Sequence, residues 1–294
     1  MKLIDTHAHL NFNAFKKDWK QVIAKSLQNN LEIMNVGTNY QTSKKAIEIA
    51  EQYETGIYAT IGLHPIHLKN GFIKLKTDPE EGNFIAQTED FNKEKYKELA
   101  QSKKVKAVGE IGLDYYYAPQ AEKELELLKE KQKQALLEQI ELAKELNLPI
   151  IFHCRKAHQD LLEILKEQQT PKLLTASDRA TNPELASKFG VRGVIHCFTG
   201  KWQEAQEYLE MGFYLGFNGI IFKLNLDKII EKVPLEKILI ETDSPYLTPP
   251  RAGEERNEPL FVKYVVEKIA EIKGVDYAKI AEITTQNAQN LFQI

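Results

Sequence analysis

The chain has 294 residues, 43% of them apolar, with 39 basic against 42 acidic side chains and only two cysteines. That length allows one large domain or two average ones around a sizeable core. A net charge of −3 argues against a broad basic footprint for duplex nucleic acid, though not against a small phosphate site built around metal ions. Two cysteines exclude a disulfide framework and fit a reducing cytoplasm, and no apolar run reaches the length of a membrane span or the core of a signal peptide.

Eight short apolar stretches read as strands, at residues 2–5, 33–37, 57–61, 105–109, 149–152, 193–196, 213–216 and 237–241. Helical periodicity fills the intervals: 18–28, 43–53, a long pattern over 122–146, then 159–168, 202–211 and 226–232, with 260–273 and 277–292 after the last strand. Strand and helix alternating eight times predict parallel strands with covering helices. Closure gives an α/β fold, the (β/α)8 TIM barrel; a doubly wound open sheet is the alternative. No stretch has the composition of a linker, so residues 1–294 read as a single domain. Two polar segments exceed what a compact barrel needs. Residues 67–93, with a possible hairpin of 72–75 against 84–86, leave the C-terminal end of the third strand and should overhang the active face. Residues 169–183 should lie on the opposite face.

The polar residues at the strand ends carry the chemistry. His7 and His9 follow the first strand, and side chains two apart on a strand share a side, roughly 6.5 Å apart. Glu110 ends the fourth strand, His153 the fifth, His196 the sixth and Asp243 the eighth. In a barrel these ends form the rim where active sites sit. Four imidazoles and two carboxylates suit two divalent ions, with zinc, manganese or iron fitting better than magnesium alone. The expected division puts His7, His9 and Asp243 around one ion, His153 and His196 around the other, and Glu110 between them. Counting two ions, Glu110, Asp243 and one hydroxide, the site is expected to be net positive and to draw a phosphate. Glu241, two residues before Asp243, reads as orienting a ligand imidazole through its other N–H. Lys106 counts to the same strand face as Glu110 but four residues lower, too far to replace it. Cys154 and Cys197 each follow a ligand histidine and by alternation should face the helix layer as buried free thiols. His67 and His158 read as surface or helix-cap residues, and the 129–133 run as a solvated helix face.

The sequence resembles the TatD family of metal-dependent deoxyribonucleases, within the amidohydrolase-type barrels. The matching words, in order, are D-T-H-A-H-L at 5–10, G-L-H-P at 62–65, G-E-I-G-L-D-Y at 109–115 and H-C-R at 153–155. H-C-F-T-G follows at 196–200, E-T-D-S-P-Y-L at 241–247, R-N-E-P at 256–259 and T-T-Q-N-A-Q-N-L-F at 284–292. Asn11 stands where the family often has Asp. The resemblance implies that His7, His9, Glu110, His153, His196 and Asp243 are metal ligands, for two divalent ions such as Zn, Mn or Mg. It implies phosphodiester hydrolysis of DNA by a metal-bridging hydroxide, with Asp243 as proton acceptor, as a 3′–5′ exonuclease on single-stranded or frayed ends. His64, Arg155 and Arg256 are candidate phosphate contacts. Tyr115, with Tyr116 and Tyr117, is a candidate stacking platform. The alternatives are a D-aminoacyl-tRNA deacylase or a small-molecule amide or ester hydrolase on the same centre, and a scaffold without activity. A cytoplasmic location with no membrane association and no obligate protein partner is expected.

Overall fold

The computed structural model describes residues 1–68, 89–116, 118–168 and 190–294. The two expected insertions therefore lie mostly outside the described residues, as do the 72–75/84–86 hairpin and Tyr117. Eight parallel strands form one sheet in sequential order: β1 (Leu3–Ala8), β2 (Leu31–Asn35), β3 (Ile57–Ile61), β4 (Val105–Asp114), β5 (Ile150–Arg155), β6 (Gly193–Ile195), β7 (Tyr214–Phe217) and β8 (Ile238–Ile240). The helices α1 (Trp19–Gln28), α2 (Tyr40–Ala50), α3 (Lys93–Leu99), α4 (Glu122–Leu146), α5 (His158–Gln168), α6 (Trp202–Glu210), α7 (Asp227–Lys232), α8 (Val262–Lys273) and α9 (Tyr277–Phe292) follow in order. This is the TIM barrel. The helix missing from the sequence reading is α3, whose pattern is faint: Tyr96 is its one fully buried side chain, and Asn92 caps it by accepting from the Lys95 N–H. No helix among the described residues is long and apolar enough to cross a membrane.

The barrel interior is filled by Ile4, Met34, Val36, Ala107, Ile151, Val194 and Leu239. Ala288, Leu291 and Phe292 of α9 pack against this column. The same helix is tied to the starts of β1 and β8, where Thr285 donates to the Lys2 carbonyl and Asn287 to the carbonyls of Leu235 and Ile238. The terminal motif thus stoppers the N-terminal end of the barrel, and only the other end can admit a ligand.

The seam between β8 and β1 is closed by few bonds, all near the rim. The Asp243 N–H donates to the His7 carbonyl and the His9 N–H to the Ser244 carbonyl, both at 2.8 Å. Thr6 Oγ1 donates to the Ile240 carbonyl, and the buried Asp5 carboxyl accepts from the N–H groups of His7 and Thr242 and from Thr242 Oγ1. Asn257 holds the far side, donating to the carbonyls of Thr242 and Tyr246.

Strict alternation fails in two strands. The β1–β2 register shifts between Asp5 and Ala8, the β3–β4 register at Lys106, where Ala59 and Thr60 pair with Val105 and Ala107, and the β4–β5 register between Val108 and Ile111. Ala107 belongs to the barrel interior, so Lys106 does not share a face with Glu110; the irregularity between them reverses the parity.

Burial raises the Asp5 carboxyl to about 8, against the lowering pull of its bonds from Thr242 and His7. A folded pKa above the unfolded one means the folded state holds the proton more tightly. The contribution is fully present below the unfolded pKa and is lost as pH rises through about 8. Asp5→Asn keeps an acceptor for both N–H groups without the charge, so denaturation midpoints measured from pH 5 to 8 should move in favour of the variant as pH rises. Asp5→Ala, which orphans both donors, should cost about 2–4 kcal/mol. A wild-type profile parallel to that of Asp5→Asn would show that Asp5 does not titrate in this range.

Candidate metal centre

Five imidazoles surround the Glu110 carboxylate. Its oxygens lie 2.7 Å from His153 Nδ1, 3.4 Å from His7 Nε2, 3.5 Å from His64 Nε2, 3.8 Å from His196 Nε2 and 3.9 Å from His9 Nε2. Asp243 faces the same space, with Oδ1 3.4 Å from His9 Nε2, 3.8 Å from His7 Nε2 and 3.9 Å from His196 Nε2. The six residues expected from the strand ends therefore meet at one rim, and His64 joins them. Asp243 sits at a φ of +60°, a left-handed conformation that Asp tolerates better than most side chains and that reverses the chain back over the rim.

Hydrogen-bond partners settle two tautomers. His9 Nδ1 lies 3.0 Å from the Val36 carbonyl, so Nδ1 carries the proton and Nε2 offers its lone pair. His64 is the reverse: its Nδ1 accepts from the Ile66 N–H at 3.0 Å, so the neutral ring carries its proton on Nε2. His64 is a donor into the site and has no lone pair there for a metal. Asn11 donates to the carbonyls of Val36 and Thr42 and so reinforces the loop that orients His9.

The donor set fits cations. His7 Nε2 and His9 Nε2 are 3.1 Å apart, and His7 Nδ1 is buried without a partner. With His7 protonated on Nδ1, two lone pairs confront each other; protonated on Nε2, it leaves a bare buried lone pair. A cation between the two Nε2 atoms resolves the first arrangement. Ligand atoms of His7, His9 and Asp243 lie within 4.8 Å of one another, as do those of His64, Glu110 and His153. His64, as a donor, drops out of the second group, and His196 is the other imidazole beside Glu110.

Carboxylates back the imidazoles. Asp114, which the sequence reading missed, places Oδ2 3.1 Å from His153 Nε2, so His153 lies between two carboxylates. Glu241 Oε1 lies 2.8 Å from His196 Nδ1, out of line with its ring N–H, and also accepts from the Cys197 N–H and from Asn218. Gly216 makes room for it, since a Cβ there would lie 2.5 Å from Glu241 Oε2. At Gly112 a Cβ would lie 1.9 Å from the His153 carbonyl, which is why β4 passes β5 closely only with glycine there. Two buried glutamines of α4 fix the neighbouring backbone: Gln132 pairs with both backbone groups of Asp114, and Gln139 with both of Leu63. Their signal in the sequence was a polar residue on an otherwise apolar helix stripe.

Burial disfavours charge on Glu110, His7, His64, His153 and His196, and the partners decide the outcome. The imidazoles of His64 and His7 and the hydrogen bond from His153 outweigh burial at Glu110, holding it well below the usual range. Burial lowers His7 and His64. At His153 burial is outweighed by bonds to Asp114 and Glu110, raising it to about 9; at His196 it is outweighed by Glu241, raising it to about 10.

Several expectations need correction. Asp114 and Glu241 stand beside His153 and His196, so two divalent ions would meet four carboxylates and the expected positive surplus would vanish. Cys197 does not face the helix layer, because a φ of +46° ends β6 and turns it inward, where its thiol joins His196 and Asp243 in a group spanning 4.8 Å. Cys154 is buried in the helix-side core as expected. His67 and His158 are both buried and not surface residues; His67 lies in a turn after β3, and His158 opens α5, at a helix end as expected, with Nδ1 3.2 Å from the Tyr208 hydroxyl. Lys129 bonds Asp160 and covers the Tyr115 ring. Tyr115 itself is packed at the rim, its hydroxyl donating to Asp160, and is not placed to stack a ligand. Arg256 spends its fork on Asp18, Glu258 and the Ala14 carbonyl. It braces the chain entering α1 and does not reach the centre as a phosphate clamp. Arg155 lies on the rim, its guanidinium 3.6 Å from the centroid of Tyr116.

The profile of the family described as "TatD related DNase" matches residues 4–293. A Bacillus subtilis relative, "Uncharacterized metal-dependent hydrolase YabD", is 38% identical over 296 residues, 99% of each chain. The Escherichia coli "3'-5' ssDNA/RNA exonuclease TatD" is 31% identical over 304 residues, again 99% of each chain. The solved structure of YJJV, a TatD homologue from Escherichia coli, superposes with a TM-score of 0.78 at 26% identity, covering 99% of this chain and 98% of that one.

Because His153 and His196 hold protons that a bound cation would displace, loading the metal-free protein at pH 7 should release about two protons. Calorimetry in buffers of different ionisation enthalpy measures this. Affinity should rise with pH up to about 9–10. Release of none would show that both imidazoles are already neutral in the metal-free protein, against the raised pKa values.

Proposed function

The chain belongs to the TatD related DNase family, and from that membership we propose that it is a metal-dependent hydrolase cleaving phosphodiester bonds of DNA from single-stranded 3′ ends. The observation that carries the reading is the Glu110 carboxylate within 4 Å of five imidazoles, with Asp243 facing it across the same space. His7, His9 and Asp243 would hold one divalent ion, His153 and His196 a second, and Glu110 both. Such ions, when bound, polarise a phosphoryl oxygen and make water nucleophilic at neutral pH. Zinc or manganese suits the nitrogen-rich set.

The chain's own residues do the rest. Asp243 takes the proton of the attacking water on its carboxylate and returns it to the departing oxygen. His64 donates from Nε2 to a non-bridging phosphate oxygen, held in that tautomer by the Ile66 N–H. Asp114 and Glu241 keep the His153 and His196 rings aimed at the centre. A site at the mouth of a stoppered barrel accepts a strand end more readily than an intact duplex. The exonuclease named among the relatives, at 31% identity over nearly the full length, supports the substrate class.

With Mn²⁺ or Mg²⁺, a 5′-labelled single-stranded oligonucleotide should shorten stepwise from its 3′ end. Asp243→Asn should lower kcat by about 10²–10⁴-fold. His64→Gln should lower kcat by about 10²-fold with metal content unchanged, since His64 is a donor and not a ligand. Full activity in Glu110→Ala, or hydrolysis of carboxylic esters but no oligonucleotide, would defeat the assignment.

A further inference from the structure

His7 and His196 lie face to face, with ring centroids 3.6 Å apart and planes 20° from parallel. In the proposed two-ion arrangement they belong to different ions, and both turn Nε2 toward Glu110, at 3.4 and 3.8 Å. Their Nδ1 atoms are left on the side away from Glu110, where Glu241 stands. One nitrogen of His7, one of His196 and one oxygen of Glu241 lie within 4.8 Å of one another, and all three side chains are buried. The two Glu241 oxygens are not equivalent. Oε1 lies 2.8 Å from His196 Nδ1 and accepts from the Cys197 N–H at 2.7 Å and from Asn218 Nδ2 at 3.1 Å. The Asn218 amide is held in that sense because its Oδ1 accepts from the Ile220 N–H. Glu241 Oε2, in the space that Gly216 leaves, is buried without a hydrogen-bond partner, and so is His7 Nδ1.

We infer that Glu241 is a positioning residue for both ions, its Oε1 aiming the His196 ring and its Oε2 the His7 ring. This rests on the two-ion reading of the centre. A neutral imidazole that gives Nε2 to a cation keeps its proton on Nδ1, and a buried N–H needs an acceptor. Two stacked rings held at Nε2 therefore present two Nδ1–H donors to the same side. A carboxylate has an acceptor oxygen for each. Among the described residues Glu241 is the carboxylate grouped with both rings on that side, since Glu110 and Asp243 face their Nε2 atoms. Glutamine separates the two roles. The Cys197 and Asn218 donors hold an oxygen at the Oε1 position, so in Glu241→Gln the amide NH2 takes the Oε2 position and confronts the His7 N–H. His7 loses its acceptor and His196 keeps one.

The test titrates the zinc-loaded protein with a chelator of known affinity and follows isotope-labelled histidine by NMR, so that each ring reports its own ion; Tm is recorded for each variant. Glu241→Gln should weaken the ion on His7 and His9 by about 10–100-fold and leave the ion on His153 and His196 at its wild-type affinity. Glu241→Ala should weaken both by about that factor. In the zinc-loaded state the Nδ1–H signal of His7 should move in Glu241→Gln, and that of His196 should not. Unchanged affinity for the His7 ion in Glu241→Gln, or weakening of the His196 ion alone, overturns the shared role while the two-ion reading stands. An ion bound among His7, His196 and Glu241 overturns it as well, because Glu241 would then be a ligand. A wild type whose rings show no bound zinc overturns the two-ion reading itself.

Discussion

Two backbone hydrogen bonds, from the Asp243 N–H to the His7 carbonyl and from the His9 N–H to the Ser244 carbonyl, close the barrel at its last seam. The residues that make them also present Asp243, His7 and His9 to a common space. Barrel closure and assembly of the centre are thus one event. Much of the surrounding sequence serves it. Asp5 ties Thr242 to the start of the rim, Asn257 holds the carbonyls of Thr242 and Tyr246, and Arg256 anchors the chain that enters α1. The R-N-E-P word is a clamp on the seam. Below, α9 seals the other end, so the buried donor set opens toward the rim.

The centre itself is a concentration of buried charge that is costly without partners. Glu110 stays ionised because imidazoles surround it; His153 and His196 hold protons because carboxylates do the same for them. Divalent ions held by these imidazoles would displace those protons, with Asp114 and Glu241 standing on the far sides of the rings.

The eightfold alternation, the barrel and the meeting of six donors at one rim were legible because apolar periodicity sets strands and helices, and strand ends set the rim. What was illegible comes from places where the backbone departs from its period. The register shifts at 5–8 and 108–111 turn His7 and Glu110 inward against simple alternation, so Lys106 was placed on the wrong face. A single left-handed residue turned Cys197 toward the site. Asp114 was hidden because it sits four residues past Glu110, beyond where the strand seemed to end, whereas β4 runs through to it. Arg256 and Tyr115 carry the right chemistry for phosphate and base, but acidic neighbours distant in sequence, Asp18 and Asp160, claim them first.

The proposed activity requires ions on both sides of Glu110. Anomalous diffraction from crystals of the protein loaded with Mn²⁺ or Zn²⁺ reads them directly. Two peaks should flank the Glu110 carboxylate, one against His7, His9 and Asp243, the other against His153 and His196. Peaks that avoid Glu110, or a loaded crystal with no ion among these side chains, would contradict it.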